Sequence, residues 1–266
     1  MAQKFRKNGL ILLLVLICSV AKSQNYCIDT VSGIPLQVIA DENIFPDSWT
    51  VSPISGRAES LDSAEFERTK EIFRKALLKY PEEVLQKNII RVYAFKYLEF
   101  YGTEYGGTSS SNAVYMTNDG IENGYSDDYV ERVFHHEFSN ILMRNYPEYL
   151  DKDAWYKLNG PDFSYGTGGV DALLNNTSSS EFDSIYHNSG FLTQYSVSAF
   201  EEDFNTTCEY LFCPKYEIKE IIKNYESIRM KFDITIKFYE QIDPFFSKDF
   251  FDSIIYLDPV YLDDSE

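Results

Sequence analysis

Apolar residues return every three or four positions in several stretches of the chain, which predicts amphipathic helices there. The first helix is predicted to open at Ser60 or Asp62 and to end at Pro81, because proline cannot continue a helix. The second follows Ser126 or Asp127, where a capping side chain and acidic residues in the first turn favour a helix start. Two further helices are predicted, across residues 199–212 and residues 215–238.

Two shorter stretches, residues 89–95 and residues 112–117, are rich in β-branched and aromatic residues and predict strands. Between them, residues 102–111 are rich in Gly, Ser and Thr and are predicted to form a loop. Residues 24–60 favour an extended lead-in with short strands, and residues 144–198 a loop-rich segment. Because no internal repeat or linker is found, the pattern predicts one α+β domain with a small N-terminal sheet and a helical C-terminal part.

The start of the chain predicts a cleavable signal peptide at residues 1–23, followed by the folded domain at residues 24–266. Basic residues precede a short apolar run, and Ala21-Lys22-Ser23 has the small-x-small pattern of a cleavage site. The run is shorter than a membrane span requires. We therefore expect a protein that does not span a membrane and is exported to the periplasm, the cell surface or the medium.

The composition is strongly acidic, with a formal net charge of −18. Removing residues 1–23, which carry four basic residues and no acidic ones, changes the net charge to about −22. Such a surface repels phosphate backbones, so no nucleic-acid partner is expected.

Three cysteines remain after the predicted cleavage: Cys27, Cys208 and Cys213. None is part of a CxxC pair, so a structural zinc site is not indicated. In an oxidising compartment one disulfide is expected, and the sequence leaves its pairing open. Either Cys208 pairs with Cys213, or Cys27 pairs with one of them.

The candidate chemistry lies on the central helix, at His136 and Glu137. In the zinc-protease pattern HExxH, two histidines one helical turn apart bind the metal, and the glutamate is the general base. Here Asn140 stands where the second histidine is expected. At about 100° per residue, His136 and Asn140 share one side of the helix, opposite its apolar face, whereas His135 points elsewhere. His135 is expected either to support a metal ligand or to be packed in the core, with ligation as a further alternative.

A second group of residues follows downstream, at Glu202-Asp203-Phe204, with Tyr195 seven positions before Glu202. In order and spacing, residues 89–240 resemble the gluzincin-type zinc metallopeptidases. The resemblance is to the zinc-binding metallopeptidase family of Bacteroidetes, which is related in pattern to the lethal-factor-like metallopeptidases. In that pattern a glutamate ligand opens a sequence similar to E-[DF]-F-A-E.

The resemblance implies a single zincin-like metallopeptidase domain that uses zinc to hydrolyse a peptide or protein substrate. His136 and Glu202 would be ligands, with Asn140 at the position of the third. Glu137 would be the general base, and Tyr195 would donate to the developing oxyanion. The strand at residues 112–117 would be the edge strand that pairs with an extended peptide, and relatives are associated with nutrient-uptake systems.

Two departures from the family pattern leave a different function open. Asn140 replaces a ligand histidine, and Thr206 replaces an acidic residue that would orient a ligand. The alternative is a catalytically inactive relative that binds peptides or assists a glycan-uptake system. In that case His136 and Glu137 would be two polar residues of the helix that bind no metal. His187 is expected to be a solvated loop histidine, with a replacement ligand as its other possible role.

Overall fold

A computed structural model describes residues 26–29 and 32–256 of the chain. The predicted signal peptide at residues 1–23 and the acidic stretch at residues 257–266 lie outside the described residues. In the part that is described, no helix is long and apolar enough to cross a membrane.

A mixed sheet of seven strands forms the N-terminal part of the structure. Five strands lie in the order β1-β2-β4-β7-β6, and β3 and β5 pair with β4 off this path. Strands β2 and β7 run parallel to β4, and the other pairs are antiparallel. The strands are β1 (Tyr26–Ile28), β2 (Pro35–Gln37), β3 (Arg57–Ser60), β4 (Arg91–Phe100), β5 (Thr103–Glu104), β6 (Gly107–Ser109) and β7 (Ala113–Thr117).

The edge of this sheet differs from the prediction. The strand predicted at residues 112–117 forms as β7, but it lies between β4 and β6 and all five of its residues are buried. Strand β6 is at the edge instead, and it comes from the Gly-rich stretch that was predicted to be a loop. A Cβ atom at Gly107 would overlap the side chain of Val133, so this glycine allows close helix packing rather than a loop.

Ten α-helices follow or flank the sheet in the described residues. The segment predicted to be loop-rich, residues 144–198, contains three short helices. The helix predicted across residues 215–238 is divided at Tyr225, whose backbone is extended. The helices are α1 (Phe66–Leu77), α2 (Glu82–Asn88), α3 (Asp127–Asn145), α4 (Lys152–Leu158), α5 (Gly169–Leu174), α6 (Ser184–His187), α7 (Phe200–Phe212), α8 (Ile218–Asn224), α9 (Glu226–Ile242) and α10 (Lys248–Tyr256).

Helix α3 is the centre of the fold and packs against α1, α7 and strands β6 and β7. The predicted cap is confirmed, because Ser126 Oγ accepts a hydrogen bond from the backbone N–H of Tyr129. The predicted apolar face is confirmed too: Phe134, Phe138 and Ile141 are fully buried in the main core. The α+β architecture predicted from the sequence is therefore what the chain forms.

A buried ion pair joins the C-terminal helices. Lys231 on α9 donates to Asp203 Oδ2 on α7 at 2.6 Å, and both side chains are only 2% exposed. The same oxygen accepts from Trp155 Nε1 at 2.9 Å and from the Tyr165 hydroxyl at 2.7 Å. Because a buried carboxylate is costly without partners, these three donors fix the position of α7.

The described cysteines are not cross-linked. Cys27, Cys208 and Cys213 are all free thiols, so none of the disulfide pairings left open by the sequence forms. Cys213 instead donates weakly to the backbone carbonyl of Asp128, with 3.7 Å between Sγ and O.

Candidate active-site cleft

A cavity of about 590 Å³ lies where α3, α7 and the edge strand β6 meet. Its wall includes four of the residues singled out from the sequence, His136, Glu137, Tyr195 and Glu202, and Asn140 as well. The structure therefore brings together, in one cleft, side chains that are up to 66 positions apart in the chain. The roles predicted for them remain predictions.

His136 is held between two carboxylates of helix α7. Its Nε2 lies 3.1 Å from Glu202 Oε2, and its Nδ1 lies 2.9 Å from Glu209 Oε2. Only the protonated imidazole can donate from both nitrogens at once. Although burial opposes a charge here, the hydrogen bonds to Glu202 and Glu209 raise the pKa of His136 well above its ordinary value.

Glu209 is a site residue that the sequence reasoning missed. It lies seven residues after Glu202, which is two helical turns, so both carboxylates are on the same face of α7. The family pattern places an acidic residue at position 206, one turn before Glu209, but Thr206 is buried and carries no charge. The seven-residue spacing was visible in the sequence and could have indicated Glu209.

Glu137 and Tyr195 complete the chemistry of the cleft. Burial raises the pKa of Glu137 to about 7, with His136 opposing this shift and Glu202 adding to it. The Tyr195 ring stacks against His136, with 6.2 Å between the ring centroids. Burial and the adjacent Glu202 raise the pKa of Tyr195 well above its ordinary value.

A Cβ at Gly169 would overlap both the Tyr195 hydroxyl and Glu202, so this glycine lets α5 close the cleft.

Asn140 faces the edge strand. Its Nδ2 donates to Ser109 Oγ at a long 3.4 Å. Arg144, one turn further along α3, donates to the same hydroxyl at 3.3 Å and to the Ser110 carbonyl at 2.6 Å. Asn140 thus takes part in joining α3 to β6.

The donor atoms of the cleft do not fit a catalytic zinc ion. The 3.1 Å between His136 Nε2 and Glu202 Oε2 is near the roughly 3.3 Å that two ligands of one tetrahedral zinc show. A third protein ligand is needed, and in the described residues no further His, Cys, Asp or Glu converges with these two atoms. Asn140 offers only a neutral amide oxygen, which suits harder cations better than zinc.

One group with three potential metal ligands does occur in the described residues, on another side of α3. It consists of Asp128, Glu131 and Cys213. The buried Glu131 carboxylate is already neutralised by Lys79 and by Lys75, whose Nζ lies 2.8 Å away. We therefore assign this group a structural role in holding α1 against α3.

His135 is packed, which is one of the alternatives that the sequence left open. It is fully buried, and its Nδ1 lies 2.8 Å from the Tyr80 hydroxyl. Burial lowers the pKa of His135 to about 4, although Glu131 beside it acts in the opposite direction.

His135 is expected to make the fold sensitive to acid. Its pKa in the unfolded chain is about 6.5, so the unfolded state binds the proton first and the contribution of His135 to stability falls as the pH drops from about 6.5 toward about 4. The loss is expected to be about 2–3 kcal/mol, measurable by urea unfolding across this range.

A His135→Gln variant should lose less stability than the wild type as the pH drops from about 6.5 toward about 4. His187→Gln is the comparison variant: burial lowers the pKa of His187 as well, but the hydrogen bond to Leu192 opposes this shift, so a smaller effect is expected. If His135→Gln keeps the full wild-type slope, His135 is not the group responsible.

His187 differs from the prediction. It was expected to be solvated, but it is buried on α6, and its Nε2 lies 3.1 Å from the carbonyl of Leu192. It does not line the cleft, so the structure gives no support to a role as replacement ligand.

Comparison with known proteins gives one structural match. No protein-family model and no curated protein matches the chain. A crystal structure described as a “putative zinc-binding metallo-peptidase” from Bacteroides caccae matches with a TM-score of 0.48 and 15% sequence identity, covering 82% of this chain and 86% of that chain. The overall structure of the chain is similar to that protein at this level.

Proposed function

We propose that the chain binds extended peptides along strand β6, over a cleft that holds no catalytic zinc. The observation that carries this proposal is the outer edge of β6 beside the cavity, which pairs with no other strand in the part of the chain that the structure describes. Gly106 O accepts from Thr117, and Ser110 N–H donates to Ala113, so these two residues face β7. Because antiparallel ladders alternate, the backbone groups of Gly107 and Ser109 face away from β7.

An extended peptide can pair with these outward backbone groups and extend the sheet. Its side chains would alternate between solvent and the cavity, since successive strand residues point to opposite faces. The cavity wall offers tyrosine rings, among them Tyr105, Tyr129 and Tyr210, that can pack on peptide side chains. Backbone pairing gives affinity, and the cavity gives selectivity.

Binding without hydrolysis is favoured by the contacts of His136 and Asn140. Both nitrogens of His136 are engaged by Glu202 and Glu209, and the Asn140 amide is directed to Ser109. A catalytic zinc needs three protein ligands, and this cleft supplies two. The function is therefore that of a peptide-binding relative of a peptidase.

Hydrolysis of peptides is the second candidate, and one observation favours it. Glu137, Tyr195 and Glu202 all surround His136, as the sequence resemblance implied. This candidate requires a metal ion that the present donors hold weakly, and metal analysis separates the two functions.

We further propose that the protein works outside the cytoplasm. The support is the signal peptide predicted at residues 1–23, together with the acidic charge of −18. Peptides of an extracellular or periplasmic origin would then be the ligands. The association with a nutrient-uptake system, implied by the sequence resemblance, belongs to this same proposal.

Replacing Ser109 with proline is expected to weaken peptide binding about tenfold, because proline removes an outward N–H donor of the edge strand. Immobilised protein is exposed to a tryptic digest of casein, and mass spectrometry quantifies the retained peptides and any new cleavage products. We expect retained peptides to be intact.

Ser109→Ala is the matched control, since it removes the hydroxyl but keeps the backbone donor. It is expected to change retention about twofold or less. Equal retention by the wild type and Ser109→Pro would contradict pairing along β6. New cleavage products that disappear in a Glu137→Gln variant would replace binding with hydrolysis as the function.

A further inference from the structure

We infer that Arg132 forms a carboxylate-binding subsite at one end of the cleft, so that the bound peptides carry a carboxylate there. The carboxylate is either an acidic side chain or a free C-terminus. This inference rests on the proposed peptide binding and adds to it a class of ligand.

Arg132 belongs to a regular stripe of polar residues on helix α3. The stripe runs through Arg132, His136, Asn140 and Arg144, each four residues after the previous one. Residues at this spacing are neighbours on a helix, with about 5–6 Å between their Cβ atoms. Arg132 thus lies one turn from His136, and it lines the same cavity.

Arg132 is buried without a partner of opposite charge. It is only 9% exposed, and among the described residues no hydrogen bond or ion pair to it is found. This is unusual for a chain with 42 acidic and 24 basic residues. By contrast, Arg68 is paired with both Glu65 and Asp127. The Arg132 side chain lines the cavity and has no counter-ion in the described part of the chain, so the guanidinium is available to pair with a bound anion.

The surroundings of Arg132 suit a planar anion. Its guanidinium lies over the ring of Tyr210, 5.5 Å from the centroid, and Lys215 Nζ lies 5.8 Å from the same centroid. A guanidinium stacked on an aromatic face keeps its edge free for a bidentate carboxylate. The wall of the same cavity also carries the hydroxyl residues Ser178, Ser180 and Thr193.

The acidic residues of the cleft limit the negative charge that a bound ligand can carry. Glu209 is engaged by His136, and Glu181 lies 3.9 Å from Lys215 Nζ, so each has a cationic neighbour already. Glu137 and Glu202 line the same cavity. Their repulsion grows with the charge of the ligand, which favours a single carboxylate over a phosphate dianion.

The test uses four N-acetylated alanine hexapeptides that differ only in charge. One pair carries Glu or Gln at a central position with an amidated C-terminus, and the other is all-alanine with a C-terminal acid or amide. Binding of the unlabelled peptides is measured by isothermal titration calorimetry. We expect at least one carboxylate peptide to bind about tenfold more tightly than its neutral partner. The pair that shows the difference identifies the source of the carboxylate.

Arg132→Gln is expected to reduce this preference to about onefold, and Arg132→Lys to retain part of it, since lysine keeps the charge but not the bidentate fork. Arg229→Gln removes an exposed arginine outside the cleft and should keep the full preference. If Arg132→Gln fails to fold, Arg132→Lys provides the test instead, through its partial loss of the preference.

The outcomes separate the inference from the proposed function. If wild-type protein binds neutral and carboxylate peptides equally, the subsite is overturned while peptide binding stands. If Arg132→Gln and Arg229→Gln reduce the preference for carboxylate peptides equally, the preference is a general effect of the protein's charge. The carboxylate subsite at Arg132 is then overturned. If no peptide binds, the proposed function fails, and a titration with N-acetylalanine, which carries one carboxylate, decides the subsite by itself: binding that is lost in Arg132→Gln supports it, and no binding rejects it.

Discussion

Replacing Asn140 with histidine is expected to turn the cleft into a zinc site. A histidine there would stand one helical turn from His136 and supply the third ligand beside Glu202. Structural zinc sites with four ligands are worth about 10–16 kcal/mol, so one added ligand contributes roughly 3 kcal/mol. We therefore expect Asn140→His to bind zinc about 100-fold more tightly than the wild type.

The measurement is metal analysis after dialysis, followed by competition with a chelator of known affinity. The wild type should hold clearly less than one zinc ion per chain, and Asn140→His about one. Asn140→Gln is the matched control, because it keeps an amide and adds no imidazole. One zinc ion per wild-type chain would contradict the proposed zinc-free cleft and favour hydrolysis instead. If the Asn140→His protein binds no zinc, His136 and Glu202 are not placed to act as the other two zinc ligands.

Replacing Lys231 with methionine is expected to lower the free energy of unfolding by about 3–5 kcal/mol. The change leaves the buried Asp203 carboxylate without its charged partner, with only the neutral donors of Trp155 and Tyr165. Removing one member of a buried pair is much more costly than removing both, because the remaining charge stays buried. Urea unfolding at neutral pH measures the loss.

A second substitution tests this explanation. Lys231→Met combined with Asp203→Asn should recover part of the lost stability, since a neutral amide oxygen can still accept from Trp155 and Tyr165. Lys223→Met, which removes an exposed lysine paired with Glu220 at 3.5 Å, should change stability by no more than about 1 kcal/mol. A loss of less than about 1 kcal/mol in Lys231→Met would show that the pair does not hold α7 in place.

This ion pair matters for the cleft because of its position on α7. Asp203 is buried toward α9, while its neighbour Glu202 faces the cavity and contacts His136. Consecutive residues of a helix point about 100° apart, so fixing Asp203 also fixes the direction of Glu202 and Glu209. The geometry around His136 is thus set by packing on the far side of α7.

The features that the sequence determined by itself are local. Helix α3 with its cap at Ser126, its apolar face, and the shared side of His136 and Asn140 all follow from periodicity and capping. The α+β class follows in the same way, from the order of strands and helices. Each of these depends on residues within a few positions of one another, where spacing alone fixes geometry.

The tertiary structure decided what those residues contact. Glu209 contacts His136 from 73 positions away, and strand β6 rather than β7 occupies the sheet edge. The sequence shows that Arg132 lies one helical turn before His136 but not that it lacks a partner, because a lack of partners is visible only when all neighbours are in place. Spacing along a helix gives the direction of a side chain but not the residues that it faces. In this cleft, the residues that face α3 determine whether the ligand is zinc, a carboxylate or a peptide strand.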